Sequence, residues 1–96
     1  MKNWKNTIVS PETTIRKAIE VIESSKLKIS FVVDNKNILI GSITDGDIRR
    51  GILNEINLDN MVTKVMNSNP LSAKFGDSKE IVLNLMKRAD IRQVPL

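Results

Sequence analysis

Two things most narrow the folds open to this chain: the succession of its apolar patterns, and the partial return of that succession 64 residues later. In TIRKAIEVIESSK, Ile15, Ala18, Ile19 and Ile22 recur at i, i+3, i+4 and i+7, which is one stripe of an amphipathic helix. Pro11 marks a turn ahead of it, and Thr13 is placed to cap its first turn. ISFVV, Ile29 to Val33, is rich in β-branched and aromatic residues and reads as a strand. DNKN supplies turn chemistry and ILIGSI, Ile38 to Ile43, reads as the returning strand of a hairpin. Ile48, Ile52 and Ile56 then recur every four residues, so a second helix is expected from about Asp45 to Glu55. TIVS, leading into the first helix, reads as a short strand, and the order becomes strand, helix, strand, strand, helix.

The 64-residue offset carries Thr13 onto Asp77, a stronger cap with Glu80 three residues on. Ala18, Ile19 and Ile22 fall on Val82, Leu83 and Met86, so the stripe is repeated; TIVS falls on Leu71 to Lys74 and Ile29 to Val32 on Gln93 to Leu96. Residues 1–56 then form one motif, 57–70 a connector and 71–96 part of a second motif, the whole being one structural unit. Val62, Val65 and Met66 suit a single helical turn within the connector. Counterparts of Gly41, Thr44 and Asp47 would fall beyond Leu96. The last strand is therefore expected to lack a hairpin partner and to leave a sheet edge open, as in a fragment completed by a continuation or another chain.

Composition closes off several kinds of function. Cysteine and histidine are both absent, which removes disulfides, thiolate and imidazole metal sites, and the usual general base near neutral pH. No catalytic residue and no metal site is assigned, and a reducing cytoplasm is the expected location. No apolar run approaches the ~20 residues of a membrane span. The net charge of +4 comes from 15 basic and 11 acidic residues that are interspersed, with only Trp4, Phe31 and Phe75 as aromatics. A nucleic-acid binder would gather its cations on one face, so no nucleic-acid partner is expected.

GSITDGDIRR, Gly41 to Arg50, concentrates the chemistry. Asp45 and Asp47 lack the spread of oxygen ligands and the closing glutamate of a calcium loop, and they lie about 200° apart on a helix. One reading is purely structural: Thr44-x-x-Asp47 fits a capping box, with acids in the first turn suiting the helix dipole and Gly41 marking a strand bulge. In the other, the unpaired N–H groups at the helix mouth seat a phosphate, Gly46 lets it come close, and Asp47 accepts from ribose hydroxyls. Arg50, at i, i+3 from Asp47, is able to pair with that acid and so compete with the ribose.

Glycine, threonine and aspartate at Gly41, Thr44 and Asp47, together with the repeated element order and the IRQVPL lead-in at Ile91 to Leu96, resemble the cystathionine-β-synthase (CBS) domain family. The resemblance implies an α+β fold: one complete strand-helix-strand-strand-helix motif with a partial second copy packed against it. It implies a non-enzymatic regulatory module binding AMP, ADP or ATP, with Thr44 on phosphate and Asp47 on ribose, while Ile8, Lys28, Ile29 and Ser30 flank the base. No cofactor is required in that reading, and the nucleotide is a regulatory ligand. CBS motifs commonly pair, so a homodimer is implied, and a ligand-free assembly role remains the alternative. Ser30-Phe31 stands where the family often has Val-Pro. The stretches SPETTIRKAIE, GSITDGDIRR and IRQVPL are further similar to the CBS region that precedes some bacterial sugar-phosphate nucleotidyltransferases.

Overall fold

The computed structural model describes residues 7–25, 28–68, 84, 87–88 and 91–93. Strand β1 (Ile8–Val9) leads to helix α1 (Ile15–Ser24), the hairpin β2 (Ser30–Val33) and β3 (Ile38–Ile43), and helix α2 (Asp45–Leu53). A 3₁₀ turn at Val62–Lys64 and strand β4 (Arg92–Gln93) follow. The four strands form one sheet in the order β1-β2-β3-β4, so the architecture is α+β. β1 runs parallel to β2 (Ile8 opposite Phe31), β2 and β3 are antiparallel, and β4 runs parallel to β3 (Ile38 opposite Arg92). β4 therefore has a partner in the first motif's own sheet, contrary to the unpartnered strand expected from the repeat. The second-copy features at Leu71–Lys74, Asp77, Glu80, Val82, Leu83, Met86, Val94 and Pro95 lie outside the described residues.

A bulge decides which side chains share a face. Val32 lies opposite Gly41 but Val33 lies opposite Leu39, so Ile40 is the extra residue on β3. Leu39 and Ile43 have the same parity along the strand, yet the bulge sends them to opposite faces. On the helix side, Val9, Ile15, Ala18, Ile22, Val32, Ile43, Ile48 and Val62 form one buried cluster. On the other face, Ile29, Phe31, Val33 and Leu39 form a second, with Ile8 and Ile91 against it. Each such side chain contributes about 1.5–3 kcal/mol by leaving water.

The hairpin turn is closed by Asp34, whose Oδ1 accepts from the N–H groups of Lys36 (2.8 Å) and Ile38 (3.0 Å) while Asn37 takes φ 63°. That left-handed conformation is one asparagine tolerates. The first helix is capped one residue later than expected. Thr14 is the N-cap, its Oγ1 accepting from the N–H of Lys17 at 3.1 Å. Thr13 is engaged elsewhere: its hydroxyl accepts from the N–H of Ser10 and its carbonyl from that of Val62. The second helix ends earlier than its isoleucines suggest, in a Schellman turn. Glu55 adopts φ 63°, its N–H bonds the carbonyl of Ile52, and the N–H of Ile56 bonds that of Gly51. Its buried face is Asp47, Ile48 and Gly51, so Ile52 lies about 90° from the centre of that face and is 53% exposed.

The connector is bound along its length. The N–H groups of Ile15 and Arg16 at the start of α1 donate to the carbonyls of Asn60 and Leu58, both at 2.9 Å. Asn67 and Ser42 exchange backbone hydrogen bonds at 2.8 and 3.0 Å, extending the outer edge of β3. Two glycines are the sockets for this docking. A Cβ on Gly41 would come within 2.9 Å of Met66 Cγ, and one on Gly51 within 2.5 Å of Val65 Cγ1. Gly41 thus sits beside the bulge rather than forming it, and close approach is what demands glycine there.

Gly51→Ala would ordinarily gain up to about 1 kcal/mol in a helix. Here it is expected to lose about 1–3 kcal/mol by overpacking against Val65. Gly46→Ala, whose Cβ would meet nothing closer than 3.6 Å, should be neutral or stabilising. Urea unfolding of the two variants checks the contrast.

Candidate functional site

At the end of β3 the chain passes from sheet to helix at Thr44, whose extended backbone (φ −120°, ψ 174°) makes it the N-cap of α2. Its Oγ1 accepts from the N–H of Asp47 at 3.4 Å, and the Asp47 carboxylate returns the contact. Asp47 Oδ2 accepts from the Thr44 N–H at 3.0 Å and from the Thr44 hydroxyl at 3.1 Å. The capping box is complete, with aspartate in place of the longer acid. Asp47 Oδ1 accepts from Arg50 Nη2, so both carboxylate oxygens have protein partners. Asp45, two residues earlier, points to solvent.

The two helix starts differ in a way that matters for ligands. At α1 the first N–H groups are covered by connector carbonyls and the Thr14 hydroxyl. At α2 the N–H groups of Asp47 and Ile48 bond to Thr44, while those of Asp45 and Gly46 meet no acceptor among the described residues. Open donors and the positive end of the helix dipole coincide only at α2. Arg50 Nη1 lies 3.6 Å from where a Cβ on Gly46 would stand, so the guanidinium runs back along this first turn.

The sheet register brings the other sequence-predicted residues to the same end. Ser30 lies opposite Ile43, next to Thr44, and Ile8 lies opposite Phe31. With strands about 4.8 Å apart, Ile8 and Ile43 stand about 10 Å apart across three strands. Ile29 is buried in the apolar cluster against which Ile8 packs, on the face away from the helices. Ser30 is fully buried and its hydroxyl donates to the Thr7 carbonyl at 3.0 Å, so it ties β1 to β2. Lys28 is exposed, with φ 56°, and its ammonium donates to the Glu23 carbonyl at 2.9 Å. The structure thus joins Thr44 to Asp47 directly and Ile8 to Ile29 through a shared cluster. Lys28 is turned back to the end of α1.

Sequence reasoning did not foresee an open depression of about 620 Å³ between β1 and α1, lined by Ile8, Val9, Ser10, Thr13, Lys17, Glu20, Val21 and Ser24. Only Ile8 belongs both to it and to the sequence-predicted set. Lys17 and Glu20 on its rim pair with each other at 3.4 Å. Its walls come from elements brought together by packing, so no local pattern announces it. Among the described residues no helix is long and apolar enough to cross a membrane.

Comparison with known proteins agrees with this architecture. An uncharacterized protein of Rickettsia prowazekii is 33% identical over 89 residues, covering 93% of this chain and 28% of its own length. Arabinose 5-phosphate isomerase of Francisella tularensis is 35% identical over 85 residues, covering 88% of this chain and 26% of its own. Homoserine O-acetyltransferase of Methanococcus vannielii is 31% identical over 96 residues, 99% of this chain and 19% of that enzyme. The chain thus spans about a quarter of the length of the curated relatives it matches. Among solved structures, a CBS domain protein from Pyrobaculum aerophilum complexed with AMP superimposes with a TM-score of 0.60. It shares 18% identity, over 91% of this chain and 70% of that one. An uncharacterized conserved protein from Pyrococcus horikoshii gives a TM-score of 0.58 at 24% identity, over 88% and 64% of the two chains. The CBS domain family model matches residues 4–54, from the segment ahead of β1 to the end of α2, and the chain belongs to that family.

Proposed function

We propose that the chain is a regulatory module that binds an adenine nucleotide (AMP, ADP or ATP) at the mouth of α2 and conveys its occupancy to an attached catalytic domain. One observation carries this reading: two open backbone donors, at Asp45 and Gly46, adjoin a carboxylate one turn into the same helix. Donors alone would suit any anion, whereas a carboxylate beside them suits the hydroxyls of a sugar. Thr44 and the open N–H groups are assigned to phosphate and Asp47 to ribose. Ile8 and Ile29 give the purine an aliphatic wall, Ser30 holds that wall in place, and Lys28 stands at its exposed end. The AMP complex of the Pyrobaculum protein supports the ligand class.

The connector supplies the route outward. A shift at Thr44 would move Ser42 and hence its backbone pairing with Asn67, and would move Gly41 under Met66. Binding energy that differs between two arrangements of this segment is what regulation requires. For the attached domain we propose a sugar-phosphate enzyme. The sequence resemblance points to a nucleotidyltransferase, and the isomerase relative also acts on a sugar phosphate. The reading frame beyond Leu96 tests this choice.

A homodimer is proposed alongside. Ile52, Leu53 and Met61 are large apolar side chains left exposed, and burying them favours self-association. If assembly were the sole role, sedimentation would show a dimer while a nucleotide panel produced no thermal shift.

Calorimetry is expected to give micromolar affinity for an adenine nucleotide, about −8 kcal/mol. Asp47→Ala should weaken it at least about tenfold, in line with a lost charge-assisted hydrogen bond; unchanged affinity would remove the ribose assignment. Because the same carboxylate caps α2, Asp47→Ala and Thr44→Ala should each cost about 1–2 kcal/mol of folding stability. Their double variant should fall short of the sum, since both remove one reciprocal contact. Denaturant titration of the cycle checks this.

A further inference from the structure

We propose that Arg50 selects ligands by their phosphate: its guanidinium holds the Asp47 carboxylate in the free protein and passes to the ligand's phosphate when ribose hydroxyls take that carboxylate. The inference rests on the nucleotide reading of this site and adds a specificity-determining residue to it. Asp47 has no oxygen without a protein donor, because Thr44 holds Oδ2 twice and Arg50 holds Oδ1. A sugar diol therefore gains Oδ1 only at the expense of one existing partner. Thr44 is bound to Asp47 through its own backbone and cap, so displacing it would unravel the start of α2. Arg50 is the movable one. Its side chain is 60% exposed against 8% for Asp47, and a long exposed side chain has other rotamers open to it.

Its resting position also sets where it goes. Nη2 lies on Asp47, and Nη1 lies over Gly46, beside the open N–H groups of Asp45 and Gly46. An anion arriving at those donors meets the guanidinium already there, and a planar fork of donors matches a phosphate in two contacts. With a phosphorylated ligand the carboxylate acquires the ribose hydroxyls and the guanidinium acquires the phosphate, so charge stays matched by charge. With an uncharged nucleoside the guanidinium is displaced and gains nothing in return, while a nearly buried carboxylate exchanges a cation for neutral donors. Such a ligand is rejected. Arg49, its exposed neighbour, makes no ion pair among the described residues and serves as the control.

Calorimetric titration with adenosine, AMP, ADP and ATP tests the exchange on the chain itself, on Arg50→Gln and on Arg49→Gln. The unaltered chain and Arg49→Gln should bind the phosphorylated ligands at least about tenfold tighter than adenosine, the factor that ~1.4 kcal/mol represents. Arg50→Gln should bind adenosine several-fold tighter and the phosphorylated ligands about tenfold weaker than the unaltered chain, so the preference collapses. If Arg50→Gln shifts all four ligands by one common factor, or leaves them unchanged, while the unaltered chain still binds AMP, the role of Arg50 is overturned and the nucleotide reading stands. If the unaltered chain binds none of the four, both fall together.

Discussion

A carboxylate almost shut off from water has to keep its hydrogen bonds, because a charge left without partners there costs several kcal/mol. Asp47 is that group, and the first motif is arranged around its satisfaction. Thr44 supplies a hydroxyl and a backbone N–H, and supplying them fixes the direction in which α2 leaves β3. That direction sets Ile48 into the helix-side core and Gly51 against the connector. The acid that starts the helix is also the acid assigned to the ribose. Folding and binding draw on one set of oxygens, which is why Arg50 has to be considered with it.

The connector gives this arrangement reach beyond its own helix. It covers the first N–H groups of α1, extends the edge of β3 at Ser42 and seats Val65 and Met66 over Gly51 and Gly41. A segment held at three separate elements moves with them rather than past them. It joins the site at α2 to everything that follows in the chain, and no hinge of its own is needed.

Much of this was legible in the residues. The helix stripe of α1, the hairpin, the Thr44-Asp47 pair and the Gly-x-x-Thr-x-x-Asp spacing are local patterns, and local backbone geometry satisfies them within a few residues. Errors arose where a distant group competed. Thr13 has the chemistry of a cap, yet Ser10 and Val62 occupy it and Thr14 takes the role. Ile52 continues a four-residue spacing, but helix rotation carries it off the buried face and Glu55 ends the helix. Ser30 carries a hydroxyl suited to a ligand, and the Thr7 carbonyl already holds it.

The sequence by itself determined the element order, the family and the capping box, because each depends on side chains close along the chain and on periods set by backbone geometry. Only the tertiary structure decided why Gly41 and Gly51 are glycine, how the bulge divides Leu39 from Ile43 between faces, and that Arg50 lies across the mouth of α2. Those are matters of steric approach and competition for donors between groups that packing brings together, and spacing along a chain carries no distances through space.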